Sequence, residues 1–164
     1  MKLDLREIIE IPGGRIPFQC ELDPAELDFP AVIAFRSAPQ AEGVVVNTAG
    51  ALSLVGQLHL EMLCICDRCG REFSMDKTME LHLPLAAEGG EEENPDLFLL
   101  EGDSLNLTEV LETCLILDME TKFLCREDCK GLCETCGADL NEGSCTCRKI
   151  SDPRMAVLEQ LLDK

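Results

Sequence analysis

The sequence contains no Trp and no Tyr, and six Phe are its only aromatics, 4% of 164 residues. Its core must therefore be built from Leu, Val, Ile and Met, and platforms for stacking nucleic-acid bases are scarce. Cations are few as well: 14 Lys and Arg face 32 Asp and Glu, giving a formal net charge of −18. So acidic a surface repels phosphate backbones and suits a basic partner. No stretch of about 18 apolar residues could cross a bilayer, so no membrane partner is expected. The opening MKLDLREIIE is charged throughout and lacks the apolar run of a signal peptide. A cytoplasmic location is the expectation. There is no Gly-rich phosphate loop, no nucleophile elbow and no helical HExxH, and the chain shows no internal repeat. It reads as a binding protein, not an enzyme.

Cysteine is what the sequence has in excess. The eleven stand at positions 20, 64, 66, 69, 114, 125, 129, 133, 136, 145 and 147. An odd number argues against a complete disulfide framework, and in reducing cytosol clustered cysteines read as metal ligands first. Cys66 and Cys69 form a CxxC pair in CDRCG, half of a tetrahedral site. The segment CREDCKGLCETCGADLNEGSCTC places six more within residues 125–147. Cys133, Cys136, Cys145 and Cys147 are close enough in sequence for one ion. Cys125 and Cys129 remain as a second half-site, whose complement is the pair Cys66 and Cys69. Two structural zinc ions are expected, although four thiolates would also accept iron. Eight thiolates less two divalent ions would bring the charge to about −22. A four-thiolate site is closed to water, which again speaks against catalysis. A thiol oxidoreductase would want its CxxC opening a helix after a strand, and neither pair here does so. Cys20, Cys64 and Cys114 lie in apolar patterns and read as core residues; Cys64 could replace Cys66 only if its strand turned it away from the core. His59 and His82 alternate with apolar positions and read as surface histidines.

Apolar alternation with a period of two runs through Leu52, Leu54, Leu58, Leu60, Met62 and Cys64, and again through Phe73, Met75, Met79, Leu81, Leu83 and Leu85. This predicts a hairpin over 52–85. If Cys66 faces Cys69 across a tight turn, Met62 faces Phe73, Leu60 faces Met75 and Leu54 faces Leu81; His59 then faces Asp76 and His82 faces Ser53. IPFQCEL, AVIAF, GVVVN and LFLL are further strand candidates, and Leu5, Ile8 and Ile9 suit a short helical turn. Asn106 and Glu109 have capping-box spacing ahead of a helix over about 106–118. Residues 86–96 form an acidic loop, and Asp152 with Pro153 opens a short end helix carrying Met155, Leu158 and Leu162. The fold class is α+β: an antiparallel sheet or partly closed barrel of about five to seven strands, with a cysteine-rich zinc-knuckle segment. Residues 1–124 form the β-rich part, with 8 basic and 24 acidic residues. Residues 125–164 form the zinc-binding segment and end helix packed on the same domain, with 6 basic and 8 acidic residues.

The CDRCG turn, the GLCETCGADLN segment and the closing DPRMAVLEQLL together resemble the YceD family, the large ribosomal RNA subunit accumulation proteins. The resemblance covers the second half well; the first half shares only its strand-rich character and the opening LDLREII and PGG. It implies a part in large ribosomal subunit biogenesis, in 23S rRNA accumulation or processing. The implied partners are 23S rRNA or a pre-ribosomal particle, directly or through an rRNA-processing nuclease. Two other readings compete. One is an acidic escort of a small basic large-subunit ribosomal protein, favoured by the charge of residues 1–124. The other is a thiol- or zinc-responsive regulator. Direct RNA contact would have to use the basic residues around the cysteines: Arg68, Arg71, Arg126, Lys130, Arg148 and Lys149. The blander role for them is to balance thiolate charge.

Overall fold

The computed structural model describes residues 1–87 and 97–147. The predicted end helix, with Arg148 and Lys149 before it, and most of the acidic loop lie outside the described residues. The elements in chain order are β1 (Lys2–Asp4), α1 (Arg6–Ile9), β2 (Arg15–Glu21), a 3-10 turn (Pro24–Glu26), β3 (Val32–Phe35), β4 (Gln40–Thr48), β5 (Ala51–Ile65), β6 (Glu72–Ala87), β7 (Phe98–Leu100), β8 (Ser104–Asn106) and α2 (Leu107–Asp118). The fold is mixed α+β around an open sheet of order β2-β4-β5-β6-β7, not a closed barrel. On one edge of the long β5, β4 pairs with residues 51–59 and β3 with residues 62–64. A separate two-stranded ribbon joins β1 to β8.

The alternation read from the sequence sets which face is buried. Leu54, Leu58, Leu60, Met62 and Cys64 are wholly inaccessible to solvent. They share one core with Phe18, Cys20, Val45, Met79 and Leu81 from the neighbouring strands. Leu107, Val110, Leu111, Cys114 and Leu115 of α2 complete that core, following the helical spacing of the apolar residues. Burying each such Leu contributes about 1.5–3 kcal/mol. Cys20, Cys64 and Cys114 lie in this core, as expected. Burial pushes the Cys64 thiol up, and the Cys114 thiol to about 11, so both stay protonated.

Several expectations needed correction. The hairpin register is offset by two residues: Met62 pairs with Met75, Leu60 with Lys77 and Leu54 with Leu83. His59 accordingly faces Thr78, and His82 faces Val55. The cause is the turn, in which Cys66 pairs not with Cys69 but with Arg71, through a 2.9 Å bond from its N–H. Because the shift is even, every side chain keeps its face. Lys77 shares the inward parity of Phe73, Met75 and Met79, and at 14% side-chain exposure it meets Asp118 at 3.0 Å and Glu120 at 2.9 Å. Burial works against its charge, but those two carboxylates hold the Lys77 pKa above the usual lysine value. β7 pairs with β6 in parallel, not antiparallel, fashion. Ala86 and Ala87, read as the start of the acidic loop, continue β6. Asn106 stands at the N-cap of α2, but its amide donates to the Glu109 carboxylate at 2.9 Å, and its side-chain oxygen accepts no backbone N–H of the helix. The ribbon β1–β8 carried no periodic signal, since its strands have three residues each.

Gly43 and Gly56 face each other on β4 and β5, in the row that runs from Phe18 to Leu81. A Cβ on Gly56 would lie 2.3 Å from the Glu42 carbonyl oxygen and 2.9 Å from the Gly43 Cα. Neither is the yielding end of a side chain. Gly56→Ala should therefore force the two strands apart and destabilise the fold by about 1–3 kcal/mol. A lowered urea midpoint, with its slope unchanged, would confirm it.

Candidate metal centre

The two CxxC turns are built alike. In the first, Gly70 donates to the Cys66 carbonyl at 2.8 Å and Cys66 donates to the Arg71 carbonyl at 2.9 Å. In the second, Gly137 donates to the Cys133 carbonyl at 2.8 Å and Cys133 donates to the Ala138 carbonyl at 2.8 Å. Gly70 has φ +68° and Gly137 φ +71°, a conformation that glycine adopts without penalty. Each turn swings both of its sulfurs to one side.

The C-terminal segment then delivers the partners. Asp67 anchors it: its N–H donates to the Phe123 carbonyl at 2.8 Å, and its carboxylate accepts the Phe123 N–H at 2.6 Å. The Arg68 carbonyl accepts from Leu132 at 3.2 Å, and its guanidinium donates to the Cys129 carbonyl at 2.6 Å. Gly131, at φ +74°, passes so close that a Cβ there would stand 2.8 Å from the Arg68 oxygen. Arg71 bridges to Asp139 at 3.0 Å and Glu142 at 2.8 Å.

The outcome is two groups of four sulfurs. Cys66, Cys69, Cys125 and Cys129 form the first, and Cys133, Cys136, Cys145 and Cys147 the second, with the sulfurs of each group within 4.8 Å of one another. In the first, Cys66 and Cys129 are 3.8 Å apart and Cys69 and Cys125 are 3.7 Å apart. A tetrahedral ion with metal–sulfur bonds of about 2.3 Å has sulfurs about 3.8 Å apart along its edges. Either group could hold a metal ion. The first is buried, with Cys66 and Cys129 at 1% and Cys69 at 8% exposure, against Phe73 and Leu124. The second is open, with Cys136 and Cys147 exposed.

The electrostatics of each group ask for a cation. Burial alone would push the Cys66 thiol up, but N–H groups of Cys125, Cys69 and Arg68 aimed at its sulfur hold it down at about 6. Burial and the crowding thiols of Cys66, Cys69 and Cys129 push Cys125 to about 12. In the second group, the N–H groups of Cys136 and Thr135 hold Cys133 at about 6, and the Cys136 sulfur pushes Cys147 to about 12. One thiolate forms readily in each group, and the last resists until positive charge arrives.

The basic residues named from sequence are mostly engaged inside the molecule. Arg68 and Arg71 hold the C-terminal segment, and Arg126 meets Asp128 at 3.3 Å and the Asn141 amide oxygen at 2.8 Å. Lys130 is exposed. His59 and His82 are both exposed and belong to neither sulfur group, and His59 bonds Thr78 at 3.0 Å. Sequence reading missed Asp67 and Asn141, two polar residues beside the ligand positions. Their one signal is position: Asp67 inside the CxxC, and Asn141 between the second CxxC and the closing CxC. Asp67→Ala removes a bond to a charged acceptor, worth about 1.5–3 kcal/mol. Amide exchange at Phe123 should accelerate, while that of β5 and β6 stays as it was.

Among the described residues no helix is long and apolar enough to cross a membrane. No curated protein and no solved structure matches the chain. The model of one family does: residues 54–162 match the family described as Large ribosomal RNA subunit accumulation protein YceD. The match spans β5 from Leu54 onward, β6, α2 and all eight clustered cysteines.

Proposed function

The chain belongs to the YceD family, and on that footing we propose that it is a non-enzymatic factor in large ribosomal subunit biogenesis, supporting 23S rRNA accumulation, with two structural zinc ions. The observation that carries the zinc reading is the pair of four-sulfur groups, the first with sulfur pairs at the spacing of a tetrahedral edge. Cys66, Cys69, Cys125 and Cys129 hold one ion, and Cys133, Cys136, Cys145 and Cys147 the other. When bound, each ion supplies the positive charge that lets all four thiols ionise, and it fixes chain segments that few apolar contacts hold. Neither site offers an open position to substrate, so the role is architectural.

The acidic surface makes a basic partner the first contact to consider. Exposed Glu21, Glu42, Asp76 and Glu80 lie along the solvent face of the sheet, which favours a basic ribosomal protein over bare RNA as the immediate contact. Contact with 23S rRNA at the metal end would use Lys130, together with Arg148 and Lys149. Arg68, Arg71 and Arg126 are committed to internal bonds.

Purified protein should contain about two zinc ions per chain by elemental analysis; none, with all thiols free, would end the zinc reading. Because protons compete for the same sulfurs, zinc affinity should fall steeply as pH drops from 8 through 6, and a chelator titration at several pH values measures this. In cells, loss of the protein should lower 23S rRNA relative to 16S. Wild type should restore it, and Cys66→Ser with Cys69→Ser should not. An unchanged rRNA ratio on deletion would overturn the biogenesis reading.

A further inference from the structure

The two sulfur groups share a residue that belongs to neither. Asn141 sits in the loop between Cys136 and Cys145, within the second group, yet its amide nitrogen lies 3.5 Å from the Cys129 sulfur of the first. Its orientation is fixed by its partners. The side-chain oxygen accepts the Lys130 N–H at 2.8 Å and the Arg126 guanidinium at 2.8 Å, both of which can only donate. The nitrogen must then face acceptors, and it does: the Cys129 sulfur, and the Asp139 carboxylate at 2.7 Å. Asp139 is in turn held by Arg71 from the hairpin turn, and it accepts the Asn141 backbone N–H at 2.8 Å.

The loop that carries Asn141 is tied at both ends to the second group. Leu132 pairs with Asp139, and Leu140 donates to the Gly131 carbonyl at 2.9 Å. Beyond it the chain must return to Cys145 and Cys147 to complete four sulfurs. An ion in the second group therefore fixes the loop, and a fixed loop aims the amide N–H at Cys129. That N–H reduces the charge density on a thiolate which must crowd against three others. The same side chain clamps residues 126–130, the turn that carries Cys129.

We propose that Asn141 is a positioning residue that couples the two metal centres, so that an ion in the second strengthens binding of an ion in the first. This rests on the reading of both groups as metal sites. Neighbours of this kind typically change metal affinity by about 10- to 100-fold when removed. Coupling is reciprocal, so the first ion strengthens the second by the same factor.

The test uses the full chain loaded with cadmium-113, whose NMR spectrum gives one resonance per site, titrated with a competing chelator. Four proteins are compared: wild type, Asn141→Asp, Cys136→Ser with Cys145→Ser, and all three changes together. Asn141→Asp keeps the acceptor oxygen and loses the donor. The first site should weaken by about 10- to 100-fold in Asn141→Asp and also in the double cysteine variant, and the triple variant should be no weaker than the worse of these. The Asn141→Asp resonance of the first site should also move, because a bond to a ligand sulfur has gone. Amide exchange of residues 52–85 serves as the check that each protein is folded. Asn141→Gln, which can restore a donor to the sulfur, should recover part of the lost affinity. Two ions whose affinities do not respond to these changes, or losses that simply add in the triple variant, would overturn the coupling and leave the zinc reading intact. Wild type that takes up no ion would overturn both.

Discussion

The arrangement of the second half of the molecule depends on one meeting: the sulfurs of Cys66 and Cys69 at the tip of a long hairpin with those of Cys125 and Cys129. Beyond α2, the described chain from 119 to 147 has no helix or strand of its own, and its few buried apolar residues include Phe123 at 5% exposure. Hydrophobic burial cannot define such a segment, and hydrogen bonds between loops contribute only about 1 kcal/mol each. Four thiolates converging on one point can define it, because tetrahedral geometry fixes four chain positions at once. The sheet supplies the rigid side of that meeting. β5 and β6, paired from Leu52–Leu85 to Ile65–Glu72, place the turn where the C-terminal segment meets it.

The second group is a different kind of object. Its cysteines come from one short stretch of chain, its sulfurs are more open to water, and its tie to the sheet passes through ion pairs and amide bonds, not through apolar contact. Arg71, Asp139, Asn141 and Arg68 make that tie. Arg68, Arg71 and Arg126 thus serve as internal fasteners.

Much of this was legible in the sequence, for reasons that can be named. The strands β5 and β6 declare themselves because one face is buried and the other is not, and a period of two is unambiguous over 15 or 16 residues. Spacing grouped Cys133, Cys136, Cys145 and Cys147 and left two half-sites as each other's complement, and the fold brings the same two sets of four sulfurs within 4.8 Å. The hairpin register was not legible, because it depends on how many residues the knuckle turn consumes, and the apolar alternation is blind to a shift of two. Lys77 was passed over for a related reason: it occupies an apolar position but finds its partners in the chain just after α2, about 40 residues away. Asn141 was invisible because its importance lies in a sulfur it touches across space and not in any neighbour along the chain.

The hairpin tip precedes its partners in order of synthesis. Cys129 leaves the ribosome 63 residues after Cys66, which at typical elongation rates of about 5–20 residues per second is an interval of about 3–13 seconds. Through that interval the first pair of thiols stands complete in its turn but lacks its other half. The N–H of Cys125, which in the finished fold does most to favour the Cys66 thiolate, has not yet been made at that stage. A pair of cysteines that ends nearly sealed from solvent must therefore wait for the half of its site that is made last.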